Sequence, residues 1–233
     1  MTILSVIQQV CPVIGLNVPT AVFSGTDREL VELQALSNEM AQRIAFDTRD
    51  WTKFKALCTL TGDGTTVGFN LPTDYRRMLK KARVWPSASP FAPYTHYADT
   101  DQWLGITVQN FRSIIGAWTM IGEQILIKPA MANLSTAQFY YITNLIIKDA
   151  GGTPKMAFTA DDDVFRLDER VLKLGMIWQW KANKGMQYAE DMATYEDAIA
   201  VSAGADKGSN IIAVGRGRTP VDTDLAFPGI TTQ

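Results

Sequence analysis

Between Asp168 and Gly185 the chain carries a stretch whose apolar residues fall on almost every side of a helix. Asp168 is a helix-capping residue type, Gly185 interrupts the pattern, and Val171, Leu172, Leu174, Met176, Ile177, Trp178 and Trp180 lie between them. Trp178 and Trp180 are two positions apart, so their side chains leave the helix about 200° from each other. A helix decorated in this way must be covered on several sides, by its own domain or by a neighbouring subunit. Trp178 and Trp180 are therefore assigned to packing, with subunit packing as one form of it. After Gly185 the residues Tyr188, Met192, Tyr195, Ile199 and Ala203 form one apolar stripe, which makes the pair of helices an α-hairpin.

The N-terminal part is helical as well. Thr26 with Glu29 fits a capping box, and Asp27 is a second cap candidate. Leu30, Leu33, Leu36, Met40 and Ile44 then recur at helical spacing, predicting an amphipathic helix of about 18 residues. A shorter helix is expected from Ile3 to Cys11, stopping near Pro12. From Trp51 the pattern changes to strands. Residues 54–60, the turn Gly62-Asp63-Gly64 and residues 65–70 read as a hairpin. Residues 78–85 read as a further strand, and residues 117–121 and 124–128 flank Gly122 as a second hairpin. Residues 137–147 are β-branched and aromatic and read as a longer strand, and a short helix fits residues 99–105. The expected class is α+β: a helical bundle of N- and C-terminal helices, an inserted, mostly antiparallel β domain, and an extended C-terminal arm. The expected boundaries are 1–50, 51–160, 161–205 and 206–233.

Chemistry is sparse. A net charge of -2 over 233 residues gives the whole chain no general attraction to nucleic acid or anionic membrane. No apolar run reaches the roughly 18 residues of a membrane span, and no basic segment precedes the apolar start, so neither a membrane anchor nor a signal peptide is expected. Cys11 and Cys58 sit among apolar residues and read as two buried thiols in a reducing compartment. His96 is the only histidine, and with two separated cysteines it gives no zinc spacing. No nucleophile, phosphate-loop or dinucleotide motif occurs. Asp161-Asp162-Asp163 lacks the glycine and glutamate of a calcium loop and reads as a solvated acidic turn before a helix. The expectation is a protein without cofactor, metal or catalytic site, and so not an enzyme.

Two segments could meet partners. Arg76, Arg77, Lys80, Lys81 and Arg83 stand against the single acid Asp74 between Leu71 and Trp85. This is either a solvated sheet edge, where lysine discourages further strand pairing, or a surface facing DNA or an acidic partner. If residues 78–85 form a strand, Lys80 lies on one face and Lys81 and Arg83 on the other. The final segment, Gly204 to Gln233, has no core of its own. Its apolar groups, Ile211-Ile212-Ala213-Val214 and Leu225-Ala226-Phe227, are each the size of a short added strand or a groove anchor.

Several short motifs, in order, carry a resemblance. They are Arg49-Asp50-Trp51, then Phe69-Asn70-Leu71-Pro72-Thr73-Asp74-Tyr75-Arg76-Arg77, then Trp178-Gln179-Trp180-Lys181 and the helix from Tyr188 to Ile199. Across residues 27–205 this resembles the head–tail connector proteins of tailed bacteriophages, the adaptor or tail tubular A proteins. The β segment is longer here than the minimal family pattern. The resemblance implies a structural protein of the virion neck, assembled in the host cytoplasm. It implies a homo-oligomeric, typically dodecameric, ring under the portal protein, with a tail, nozzle or stopper protein below and genomic DNA passing through without sequence-specific binding. It also implies C-terminal arms that grip the portal or a neighbouring subunit, here through Ile211, Ile212, Val214, Arg216, Arg218, Leu225 and Phe227. A competing expectation is a carbohydrate- or ligand-binding β module of a tail or fibre. Its support is the aromatic set Trp85, Phe91, Tyr94, Tyr97, Trp103 and Trp118, residues that stack on sugars or fill sheet cores.

Overall fold

The computed structural model describes residues 1–80, 82–88, 92–109 and 115–206. These fall into two units. The first joins Met1–Lys55 to the chain from Thr143 through the last helix, and the second runs from Ala56 to Ile142. The class is α+β.

The first unit is built on helices α1 (Ile3–Ile14), α2 (Arg28–Gln42), α4 (Glu169–Asn183) and α5 (Ala189–Asp206). In α1 the buried residues Ile3, Val6, Ile7, Val10, Cys11 and Ile14 recur at three and four, the spacing of one helix face. The helix does not stop at Pro12 as expected. Pro12 lies in the last turn on the exposed side, where its missing N–H removes one bond. The turn continues to the buried Ile14 and ends at Gly15, whose N–H donates to the Cys11 carbonyl. The second cap candidate, Asp27, precedes α2, although its side chain makes no capping bond. Beyond Gln42 the same helix widens into a π-helical turn, Arg43–Asp47, with Ile44 and Ala45 still buried. Trp51 Nε1 donates to the Ile44 carbonyl at 2.8 Å and so satisfies a buried acceptor of that turn.

Helix α4 is the centre of this unit and packs against α1, α2 and α5. That explains its apolar circumference: the three sides are covered by helices of its own chain. Asp168 caps it, accepting from the Arg170 N–H at 2.8 Å. Gly175 lets two neighbours approach at once. A Cβ there would stand 2.6 Å from Met40 Cε on α2 and 3.1 Å from Tyr195 Cε2 on α5.

The second unit holds the strands. They are β1 (Lys55–Thr61), β2 (Gly68–Asn70), β3 (Tyr75–Met78), β4 (Trp85–Pro86), β5 (Thr95–His96), β6 (Ala117–Ile121), β7 (Gln124–Lys128) and β8 (Thr136–Thr143). One helix, α3 (Thr100–Val108), is capped by Asp99. One sheet has the order β1-β8-β3, with β4 also pairing β8, and the other has the order β2-β7-β6-β5. Both contribute to one core. Cys58 and Leu60 come from β1 and Ala137, Phe139 and Tyr141 from β8, while Trp118, Ile125 and Ile127 come from β6 and β7. Alternation along β1 and β8 sends these residues inward and Thr59 and Gln138 outward, where Gln138 Nε2 donates to Thr59 Oγ1.

The hairpin around Gly122 forms as expected, with Ile121 opposite Gln124. Gly122 has φ 62°, the backbone that the first residue of a two-residue type II′ turn requires. Three other expectations are corrected. Gly62-Asp63-Gly64 does not join a hairpin, because β1 pairs with β8 and β2 with β7. Asp63 instead closes its own loop by accepting from the N–H groups of Thr65 and Thr66. Residues 78–85 are not one strand: β3 ends at Met78, a turn follows in which the Ala82 N–H donates to the Leu79 carbonyl, and β4 begins at Trp85. The long strand ends at Thr143, four residues before Ile147.

Residues 143–160, expected within the insert, belong by their contacts to the first unit. There β9 (Ile147–Lys148) is flanked by β10 (Pro154–Lys155) and β11 (Val164–Phe165), both antiparallel to it. Arg166 secures this sheet: its guanidinium donates to the Leu145 and Lys53 carbonyls and lies 5.2 Å from the Phe54 ring.

Candidate interaction surfaces

The two tryptophans of α4 look to opposite sides, as their spacing requires. Trp178 is 8 % exposed and Trp180 5 %. Trp178 packs on α5 through Tyr195, at 5.9 Å between ring centroids, and also lies near Tyr188, at 6.3 Å. The Arg43 guanidinium stands 5.4 Å from the Trp178 ring centroid. Its indole Nε1 is buried without an acceptor among the described residues. Trp180 lines a groove of about 680 Å³ between α2 and α4, with Lys184 Nζ 4.7 Å from its ring centroid. At the rim, Glu32 accepts from Lys184 and Arg28, and those two cations hold its carboxyl below the usual range. The burial of both tryptophans is thus supplied within one chain.

The acidic triplet forms a turn with Asp162 exposed, but it is not solvated throughout. Asp163 is 1 % exposed. Its carboxylate accepts from Lys155 Nζ at 2.8 Å and from the N–H groups of Thr159 and Ala160 at 2.7 and 3.0 Å. Burial by itself would push its pKa up, but Lys155 and the two amides outweigh that and hold it below the ordinary carboxylate value. Asp161 Oδ1 accepts from the N–H groups of Val22 and Phe23. The Asp163 and Asp161 carbonyls accept from Ile3 and Leu4, two of the donors that the first turn of α1 leaves unmatched. The triplet therefore ties the N-terminal segment to the rest of its unit. Composition gave no sign of this, because a buried and a solvated aspartate look alike in sequence.

In the basic stretch, Arg76 and Arg77 are neighbours on β3 and so point to opposite faces, Arg76 exposed and Arg77 half-buried. Lys80 and Arg83 are exposed and lie in the turn region after β3, not on a strand, so the expected division of faces does not extend to them. Lys81 lies outside the described residues. Asp74 accepts a hydrogen bond from Tyr141 Oη at 2.9 Å, and burial followed by that carboxylate pushes the Tyr141 pKa well up.

The residues assigned to the arm, Ile211, Ile212, Val214, Arg216, Arg218, Leu225 and Phe227, also lie outside the described residues. The last described turn of α5 is anchored to the chain that follows α2. Asp206 pairs with Arg49 at 3.2 Å and accepts from the Thr52 N–H and hydroxyl, while Arg49 also donates to the Ala203 carbonyl. Arg49 lies 5.3 Å from the Trp51 ring centroid. Arg49 of the Arg49-Asp50-Trp51 motif thus holds the last described turn of α5, a role that its sequence position did not reveal.

Among the described residues no group of three or more histidine, cysteine, aspartate or glutamate side chains could hold a metal ion, and no helix is long and apolar enough to cross a membrane. His96 is exposed on β5 and stacks on Trp118 at 4.2 Å. Trp118 and Trp103 are buried, which removes them from the surface available to a sugar. Both cysteines are free and buried, and burial raises both thiol pKa values.

A search of curated proteins finds no match. The family model described as "SU10 adaptor protein" matches residues 1–220, taking in both units. The chain therefore belongs to the SU10 adaptor protein family, structural adaptors of phage heads and tails.

Proposed function

We propose that the chain forms a homo-oligomeric, dodecameric ring in the virion neck, beneath the portal protein. The ring extends the DNA channel, and its lower face is the platform for a tail, nozzle or stopper protein. DNA passes through without sequence-specific binding. The observation that carries this reading is the family match over residues 1–220. It is supported by a helical unit that buries its own core, leaving outer surfaces for neighbours, and by the sparse chemistry of the described residues. The helical and β units form the body of the ring. The segment from Lys207 onward reaches the portal through Ile211, Ile212, Val214, Leu225 and Phe227, with Arg216 and Arg218 between them. The cations at 76–83 face the channel or an acidic partner. Electron microscopy of the purified chain with and without portal rings tests the reading: a coaxial ring on the portal supports it, and a chain that never joins the portal refutes it.

A further inference from the structure

The sheet β1-β8-β3, with β4 also on β8, has two outer sides that are built differently. On one side β3 is four residues long and carries Arg76 and Arg77, while β4 is two residues long and holds Pro86. Shortness, charge and proline are the means by which an exposed sheet edge is kept from pairing. The other side is β1, seven residues long, and from Ala56 to Thr61 it has neither a charge nor a proline. No described strand pairs with its outer edge. The Gly62 N–H donates to the Ser135 carbonyl, while the Thr136 carbonyl accepts from Ser87 on the β4 side. Backbone groups alternate along a strand, so those of Leu60 and Cys58 also turn to β8, and those of Leu57, Thr59 and Thr61 turn to the outer edge. The Leu57 side chain is 49 % exposed.

The chain beyond the described residues starts close to this strand. Asp206 accepts from the Thr52 N–H at 3.1 Å and pairs with Arg49. Residues 52–54 form one 3₁₀ turn, which advances about 2 Å per residue, and β1 starts at Lys55. Four residues, Lys207-Gly208-Ser209-Asn210, separate Asp206 from Ile211 and span up to about 13 Å when extended. Ile211-Ile212-Ala213-Val214 follow, β-branched at all but one position and closed off by Gly215. A segment that adds to a sheet edge gains main-chain hydrogen bonds along its length, and its alternate side chains join the two faces. Entering next to Lys55, these four residues run parallel to β1, and one of Ile211 and Ile212 comes to the side of the exposed Leu57. A four-residue tether makes the encounter intramolecular, with an effective concentration on the order of millimolar, ahead of any second copy.

We propose that the outer edge of β1 is the docking site for Ile211–Val214 of the same chain, added to the sheet as a parallel strand before the chain meets a portal. The occupied edge is thereby withheld from pairing with other chains. The proposal concerns the chain in solution, so it stands or falls separately from the ring reading.

The test is hydrogen exchange of the full chain without portal, read residue by residue. In wild type the Leu57 and Thr59 amides should exchange about ten-fold or more slowly than in Ile212→Pro with Ala213→Pro. The two prolines are adjacent, so whichever of these residues turns its N–H to β1 loses it. The Cys58 and Leu60 amides, turned to β8, should be slow in both chains and show that the sheet is intact. If they speed as well, a second measurement decides. Leu57→Cys is combined with Ile211→Cys or with Ile212→Cys, and one of the two chains should form an internal disulfide on mild oxidation. The native Cys11 and Cys58 are buried. Fast exchange at Leu57 and Thr59 in wild type, or slow exchange that the prolines leave unchanged, overturns the proposal. So does a disulfide that forms only between chains, with protection lost on dilution, which makes a second copy the occupant. Portal rings that stay bare while the edge is protected would refute the ring reading alone.

Discussion

Replacing Asp163 by alanine removes, at one atom group, the ion pair to Lys155 and the acceptor for the Thr159 and Ala160 N–H groups. Breaking a buried ion pair by deleting one partner costs about 3–5 kcal/mol, and a hydrogen bond to a charged group contributes about 1.5–3 kcal/mol. These overlap, since both describe the same carboxylate. The Lys155 side chain keeps 26 % exposure, so water re-solvates its ammonium once the partner is gone. The lower end of the first range therefore applies, about 3 kcal/mol. With a urea dependence of about 2 kcal/mol per molar, the unfolding midpoint should fall by about 1.5 M. Hydrogen exchange should also speed at Ile3 and Leu4, whose N–H groups donate to the Asp163 and Asp161 carbonyls. A midpoint shift below about 0.3 M, with protection of α1 unchanged, would refute the reasoning. The effect has a pH signature. The folded pKa of Asp163 is depressed, so its contribution is fully present above the ordinary carboxylate value and is lost as pH falls through the lower folded value. The advantage of wild type over Asp163→Asn should accordingly vanish in acid, and an advantage that grew in acid would contradict the assignment.

Trp178→Ala should cost about 3–5 kcal/mol in denaturant melts. Trp178→Phe should cost clearly less, because it keeps the ring contacts with α5 and removes the buried Nε1 that lacks an acceptor among the described residues. Deleting the residues after Asp206, and not after Gly204, should leave a chain with wild-type melting, since Asp206 still holds Arg49 and Thr52. That chain should no longer dock on portal rings, and unchanged docking would remove the arm from the account. Purified chain should show no hydrolase or nuclease activity. An activity abolished by a single substitution in this chain would overturn that expectation.

Legibility in the sequence followed the range of the interactions. Helix α4 was readable almost to the residue because Asp168 and Gly185 bracket it and both act locally. Its apolar circumference announced cover on several sides, but not whether the cover came from the same chain; α1 and α2, far away in sequence, supply much of it. The β6–β7 hairpin was readable because its turn holds two residues and opens with glycine. Gly62-Asp63-Gly64 sends the same local signal, yet β1 and β2 each pair with a distant strand, a choice made by burial of Cys58, Leu60, Ile125 and Phe139 in a shared core. Residues 78–85 read as a strand despite their many cations, yet β3 stops at Met78. The Ala82 N–H turns back to the Leu79 carbonyl, and Val84 is buried on its own account. Asp163 was missed because its partners are one lysine eight positions away and two backbone amides, which leave no trace in composition. Arg49 stands in a short local motif, while its work, holding Asp206 in the last described turn of α5, spans the unit.

The central claim is that this adaptor acts as a ring on the portal. The most direct measurement is electron microscopy of the full chain mixed with isolated portal rings at physiological salt, with copy number taken from native mass spectrometry. The account predicts one ring of this chain coaxial with each portal, twelve-fold in copy number, its axis open for DNA. Portal rings that stay bare while the chain remains a monomer at every concentration would contradict it.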